Sequence, residues 1–178
     1  MTEARVECLA AGAVAADAAR LVALLQDAVE SGASIGFLPP LGAAEAAAYW
    51  ESVAAAIDAG TRVLLVARTR PGEIAGSVQL DLATRANGRH RAEVVRLMVL
   101  RRWRRHGLGR ALMLATETAA RQQGRSTLVL DTRAGDPAEA LYRALGWTAA
   151  GTIPRFAQSA DGSLHATAIY YKLLDPPG

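Results

Sequence analysis

The chain has a single cysteine, Cys8, among 178 residues. No intramolecular disulfide can form, and a zinc site built on clustered thiolates is excluded. Aromatic residues make up only 5% of the chain, and none alternates with basic residues along a strand as a base-stacking surface would require. No apolar run approaches the ~18 residues of a membrane span. The opening residues, Met1 to Cys8, carry Glu3 and Glu7 and no uninterrupted apolar stretch, so no secretory leader is expected. A soluble cytoplasmic protein is the default expectation. Lysine is reduced to one residue, Lys172, against 19 arginines, and alanine is abundant. This bias is read as the mark of a genome rich in G and C, and no function is drawn from it.

A hydrophobic content of 51% is enough for a sizeable core. One domain spanning residues 1–178 is expected. The net charge is only +3, yet it is unevenly placed. The stretch from Arg101 to Arg110 holds five arginines and His106 with no acid, which suggests a polyanionic ligand.

Apolar residues Leu21, Leu24, Leu25 and Ala28 fall at helical spacing, so a first helix is expected over 13–29, stopped by Ser31-Gly32. A loop with Pro39-Pro40 leads to an alanine-rich second helix, 43–59. Two Val/Leu-rich runs, 61–67 and 73–82, flank Pro71-Gly72 and predict a β-hairpin. Past Asn87-Gly88 a third strand is expected at 92–100. Leu108, Ala111, Leu112, Ala115 and Ala119 then define a helix that ends near Gly124, and a strand follows at 126–132. A helix at 137–145 has Asp136 as its cap and Pro137 at its first position. Strands near 147–153 and 166–174, and a frayed tail from Asp175 to Gly178, complete an α/β pattern with a mixed sheet.

The most specific motif is Arg104-Arg105-His106-Gly107-Leu108-Gly109-Arg110, set between a strand and a helix. Glycines at a first helical turn let the backbone approach a ligand. Unpaired N–H groups and the helix dipole there suit phosphate oxygens, to which the arginines add bidentate donors. An ordinary basic loop before a helix would look the same from this segment alone.

Together with the preceding Leu97-Met98-Val99-Leu100, the Arg104-x-x-Gly107-x-Gly109 pattern resembles the acetyl-CoA signature of the GNAT superfamily. A second block, Ala138 to Trp147, resembles that superfamily's later helix, which ends in Leu-Gly-aromatic. The resemblance covers at least 73–147. It implies a mixed, mostly antiparallel central sheet flanked by helices, and acetyl-CoA as cofactor with no metal. It also implies that Arg104 and the backbone from Arg105 through His106, Gly107, Leu108 and Gly109 to Arg110 hold the pyrophosphate. The strand Leu97, Met98 and Val99 would pair with the pantetheine arm, and an N–H near Val99 would stabilise oxyanion charge in the transition state. Tyr142 takes the position of the superfamily's tyrosine, which protonates the departing thiolate. One departure is Gly135, where the superfamily often has Asn seven residues before this Tyr.

The acceptor amine must be unprotonated to attack, so a base is needed. Glu93 and Asp131 are the candidates, each at a strand end of the kind that borders ligand openings in α/β sheets. Either could instead be a solvated acid or an arginine partner, and Arg96 lies close enough in sequence to pair with Glu93.

A finer resemblance, to the tabtoxin-resistance acetyltransferase branch, rests on Gly32 to Phe37, Arg91 to Val94, Leu130 to Gly135 and Asp161 to Tyr170. It implies a small β-lactam amino acid toxin as acceptor, with Glu93 and Asp131 lining the site. Ser34 and Phe37 would sit on the acceptor side. So would Arg155 and Phe156, where Pro154-Arg155-Phe156-Ala157 departs from the branch and could alter substrate choice. His165 is read as a structural hydrogen-bond partner, and Trp50 and Trp103 as packing or surface residues. The expected partner is a small-molecule amine, without nucleic acid or membrane. Homodimers are frequent in the superfamily, so the resemblance also suggests a homodimer. A nucleic-acid module gripping 101–110 and a non-catalytic acyl-CoA sensor are the alternatives. The first sits poorly with 17 acidic residues against 20 basic ones.

Overall fold

The computed structural model describes residues 4–69 and 72–174. The expected hairpin strands are β2 (Arg62–Arg68) and β3 (Ile74–Leu82), paired antiparallel from Arg62↔Asp81 to Arg68↔Ile74. Their turn residue Pro71 and the tail Asp175 to Gly178 lie outside the described residues, as do Met1 to Glu3 of the opening segment. In β2, Val63, Leu65 and Ala67 face one way and Leu64 and Val66 the other, and all five are buried. A strand apolar on both faces must be covered on both. The first face meets α4 (Leu108–Gln122) through Leu112, Met113 and Ala120. The second meets α1 (Ala11–Ala16), α2 (Ala18–Glu30) and α3 (Ala43–Asp58) through Val14, Leu21, Leu25, Trp50 and Val53.

Among the described residues the sheet has seven strands, in the order β1 (Arg5–Leu9), β2, β3, β4 (Arg91–Val99), β5 (Thr127–Arg133), β7 (Leu164–Leu173) and β6 (Thr148–Gln158). Every neighbouring pair is antiparallel except β4 (Arg91–Val99) with β5 (Thr127–Arg133), which are joined by α4 as a crossover. Such a connection needs a helix-length segment, which the glycine motif and the run 108–122 supply. Gly124, at φ +67, ends α4, with Arg125 N–H donating to the Ala120 carbonyl at 2.8 Å. This left-handed C-terminal closure was expected from the sequence. Asp136 also caps as expected. Its carboxylate accepts the Ala138 N–H at 2.8 Å, and α5 (Ala138–Ala144) starts one residue later than predicted. Strands β6 (Thr148–Gln158) and β7 (Leu164–Leu173) close the far side.

Three expectations are corrected. The first helix is two helices, broken at Asp17, whose carboxylate accepts from Arg68 Nη2 at 2.6 Å and Arg20 Nη1 at 2.9 Å. The Arg68 hydrogen bond holds the Asp17 carboxyl below the usual carboxylate range, ahead of the opposing effect of burial. A tertiary ion pair there outweighs one more turn of helix. A strand not anticipated, β1 (Arg5–Leu9), pairs with β2, and its Glu7 accepts from Arg68 Nε at 2.8 Å. Its charged residues hid it, since an edge strand can keep one face wet. Finally, β6 runs five residues past the expected 147–153. It carries a bulge between Ile153 and Ala157, with Arg155 at φ +54.

Candidate active site

Strand β4 makes two irregular contacts, and together they form the cleft. On its β5 side, pairing runs only through Arg91↔Thr127, Ala92↔Leu128 and Glu93↔Val129. Beyond Glu93 the two parallel strands part, leaving that edge of the rest of β4 without a strand partner. On the β3 side, Gln79 opposes Val95 and Ser77 opposes Met98, so Arg96 and Leu97 share the single partner Val78. Arg96 takes φ +52, a left-handed conformation uncommon for a residue with a Cβ. This is a β-bulge, which re-aims side chains next to functional openings.

The gap between β4 and β5 opens into a cleft of about 600 Å³. Its lining includes Leu97, Met98 and Val99 from β4, Gly107 to Arg110 from the start of α4, and Asp131 and Tyr142 from the opposite wall. Gly107 stands at φ +81 just before Leu108, where a Cβ would strain the backbone. Among the described residues no side chain caps α4, which leaves the N–H groups of its first turn free beside the cleft. Gly109 packs closely against α5, since a Cβ there would lie 3.3 Å from Leu141 Cδ2.

The basic run is less free than its sequence suggested. Arg101 pairs with Asp27 at 2.8 Å, and Arg102 pairs with Glu73, which also accepts Trp103 Nε1 at 2.7 Å. Arg104 donates to the Val99 carbonyl at 3.1 Å and to Ser31 Oγ at 2.6 Å, so it braces the end of β4 against α2. His106 Nδ1 meets the Arg104 carbonyl at 2.8 Å. Among the described residues, Arg105 and Arg110 have no carboxylate partner, and both are exposed at the mouth. The footprint left for an anion is therefore small: one helix turn and two guanidinium groups.

Tyr142 is 6% exposed, packed near the rings of Trp147 and Tyr170 with centroid distances of 6.3 and 6.0 Å. Burial raises its phenol well above the ordinary tyrosine range, and the charges of Asp136 and Asp131 raise it further. Gly135, the residue that departs from the superfamily pattern, takes φ +83 and donates its N–H to Glu139 Oε1 at 2.6 Å. Glu139 also accepts from Tyr170, which ties the start of α5 to β7.

Glu93 pairs across the sheet with Asp81 and Val129. Although the residue reaches solvent, loss of hydration raises its carboxyl above the usual range, and the charges of Asp131 and Asp81 add to this. The cations that oppose the shift are Arg62 and Arg91. Arg96 does not make the pair with Glu93 that the alternative reading allowed, because the bulge turns it toward Phe37 and Tyr49. Asp131 Oδ2 accepts from Thr167 Oγ1 at 2.9 Å, which orients this second carboxylate.

On the acceptor side, Ser34 lines the main cleft and also an adjoining pocket of about 520 Å³, which Phe37 and Arg133 border. Arg155 and Phe156 line neither. The bulge in β6 leaves both exposed, and Ala157 to Asp161 occupy that wall instead. His165 Nε2 meets Ser163 Oγ at 3.0 Å, in keeping with a structural partner. Trp50 is a core residue. Tyr49 was not singled out in the sequence. It accepts a hydrogen bond from the buried Gln79 at 2.7 Å, and only the tertiary structure brings it to the site.

Comparison with known proteins agrees with this fold. The profile of the Acetyltransferase (GNAT) family matches residues 23–147, and the chain belongs to that family. It is 37% identical over 109 residues to an uncharacterized N-acetyltransferase in the hisH–hisA intergenic region of Azospirillum brasilense. The match spans 60% of this chain and 62% of that protein. Among solved structures, it superposes on a GNAT superfamily phosphinothricin acetyltransferase from Sinorhizobium meliloti in complex with acetyl-CoA. There the TM-score is 0.80 and the identity 21%, covering 98% of this chain and 89% of that one. A ribosomal-protein-alanine N-acetyltransferase from Brucella melitensis superposes with a TM-score of 0.79 at 24% identity, covering 96% and 99%. Among the described residues, no helix is long and apolar enough to cross a membrane.

Proposed function

We propose that this protein transfers an acetyl group from acetyl-CoA to the amino group of a small molecule. The observation that carries the reading is the parting of β4 from β5 beyond Glu93, which puts a helix N-terminus, a free strand edge and a buried tyrosine on one surface. The donor set fits the cofactor. Unpaired N–H groups at the start of α4, with Arg105 and Arg110, suit a pyrophosphate. The free edge of β4 suits an amide-bearing arm. Acetyl-CoA also accompanies the Sinorhizobium structure.

The cofactor supplies an acetyl group activated as a thioester. The chain's residues do the rest. Glu93, which stands outside the cleft lining, takes the proton from the acceptor's ammonium through a water, a task to which its raised carboxyl is suited. Asp131, fixed by Thr167, adds negative charge that favours an ammonium in the cleft. The Val99 region supplies an N–H for charge developing on the acyl oxygen. Tyr142, kept protonated by burial, holds its proton for the departing sulfur.

The acceptor we carry forward is an amino-acid-like amine, and the segments 32–37, 91–94, 130–135 and 161–170 suggest a β-lactam amino acid toxin of the tabtoxinine type. Thermal unfolding with acetyl-CoA at about 100 times its dissociation constant should add roughly 2.7 kcal/mol, or on the order of 5–10 °C in midpoint. No shift at millimolar acetyl-CoA would overturn the reading.

A further inference from the structure

The acceptor side carries a cation that the acetyl-transfer chemistry does not use. Arg96 sits in the β4 bulge at φ +52, and its guanidinium lies 4.8 Å from the Tyr49 ring centroid and 5.8 Å from that of Phe37. The two rings meet edge to face at 5.3 Å, so the cation is held between fixed walls. Gly36 completes the recess. It adopts φ +87, and a Cβ there would lie 3.4 Å from Arg96 Nη2.

Arg96 makes no salt bridge among the described residues, and its Nε is buried without a hydrogen-bond partner. Buried donors are nearly always satisfied, so an orphan in a cleft wall points to a missing acceptor. A guanidinium offers a planar fork of donors that matches a carboxylate or another oxyanion. Ring contacts with Phe37 and Tyr49 satisfy its charge in part but leave those donors unused. Arg133, on the same lining, repeats the pattern. It donates to Ser159 Oγ at 2.9 Å, yet its Nε is also buried and unpartnered.

Set against the carboxylate of Asp131 on the same lining, these cations give the acceptor side two signs of charge. A neutral or purely cationic amine would leave Arg96 with nothing to bind. We infer that Arg96, fixed at the β4 bulge between Phe37 and Tyr49, holds an acidic group of the acceptor, so that the substrate is an amine that also bears a carboxylate or similar oxyanion. Arg96 is thus the specificity-determining residue of the site, and the inference rests on the acetyl-transfer reading above.

The test is to assay release of CoA thiol with free L-amino acids, each matched to its own α-amide, and to follow acetyl-CoA binding separately by thermal shift. The wild-type chain should prefer the acids by at least about tenfold in kcat/KM, the scale of a charge-assisted pair. Arg96→Gln should collapse that ratio toward unity, mainly through KM, with the acetyl-CoA shift retained. Arg96→Lys, which keeps the charge but loses the fork, should restore part of the preference, as a purely structural role would not. If acetyl-CoA binds but the acids are not favoured, whether because the amides react as fast or because neither series reacts, the proposal is overturned and the cofactor reading stands. If acetyl-CoA itself gives no shift, the transferase reading falls and this proposal falls with it.

Discussion

The two walls of the cleft are built differently. The cofactor wall comes from one continuous stretch, β4 through the first turn of α4, with Tyr142 joining it from a short helix of clear local pattern. The acceptor wall is assembled from the α2–α3 connection, the β4 bulge, the end of β5 and the β6–β7 hairpin. A wall made by neighbours in sequence keeps its shape through local backbone rules. One made by distant segments can change its shape by single substitutions while the chemistry persists.

The sharpest way to break this comparison is at the chemistry both walls serve. Tyr142→Phe should lower kcat by about 10²-fold, at the low end of general acid–base contributions, while the acetyl-CoA thermal shift is kept. An unchanged kcat would remove Tyr142 from the mechanism. Glu93→Gln should cost a similar factor and should also change the pH profile. Because the Glu93 carboxyl is raised and must be ionised to accept a proton, the wild-type rate should climb with pH through a value above the ordinary glutamate range. That limb should vanish in the variant; a limb that persisted would assign the base elsewhere.

Smaller effects sharpen the contrast between the walls. Gly107→Val places a β-branched residue at φ +81, a strain of about 1–2 kcal/mol that the loop relieves by leaving its conformation. Calorimetry should show acetyl-CoA affinity down by about tenfold, with the acceptor KM little changed. Gly36→Ala should do the reverse. Its strain at φ +87 and its contact with Arg96 should raise acceptor KM by a few fold, on the order of 1 kcal/mol, at constant cofactor affinity. If both variants moved both parameters equally, the walls would not be separable. Phe156→Ala should be the mildest. Phe156 is 54% exposed and outside the cleft, so stability should stay within about 0.5 kcal/mol by denaturant titration, with kinetics unchanged.

Asp17 offers a parallel test away from the site. Its carboxyl is held low by Arg68, so the stability it contributes is present above the unfolded pKa and lost as pH falls through the lower folded one. Asp17→Asn should cost about 1–2 kcal/mol at neutral pH in denaturant titration, the scale of a hydrogen bond to a charged group at a part-buried site, and should flatten that acid dependence.

Much of this was legible before any coordinates. The hairpin of β2 and β3, the glycine cradle, α4 with Gly124 at its end and the Asp136 cap each follow from residues within a few positions of one another. The hydrophobic period, the missing N–H partners of a helix start and the φ preferences of glycine act locally, so the sequence by itself determined them. Its reading of 101–110 put the glycines at a helix start, where the structure has them, and was too generous about the charge. Asp27, Glu30, Glu73 and Ser31, remote in sequence, take up three of the five arginines.

What only the tertiary structure decided about the shape of the cleft has one physical cause: register between distant strands. The extra residue in β4 against β3 turns Arg96 away from Glu93 and into the Phe37–Tyr49 recess. The early end of β4–β5 pairing opens the cleft, and the bulge in β6 withdraws Arg155 and Phe156 from it. Ladder pairing is a property of two segments at once, set by what the rest of the core allows. No single stretch of the chain encodes it.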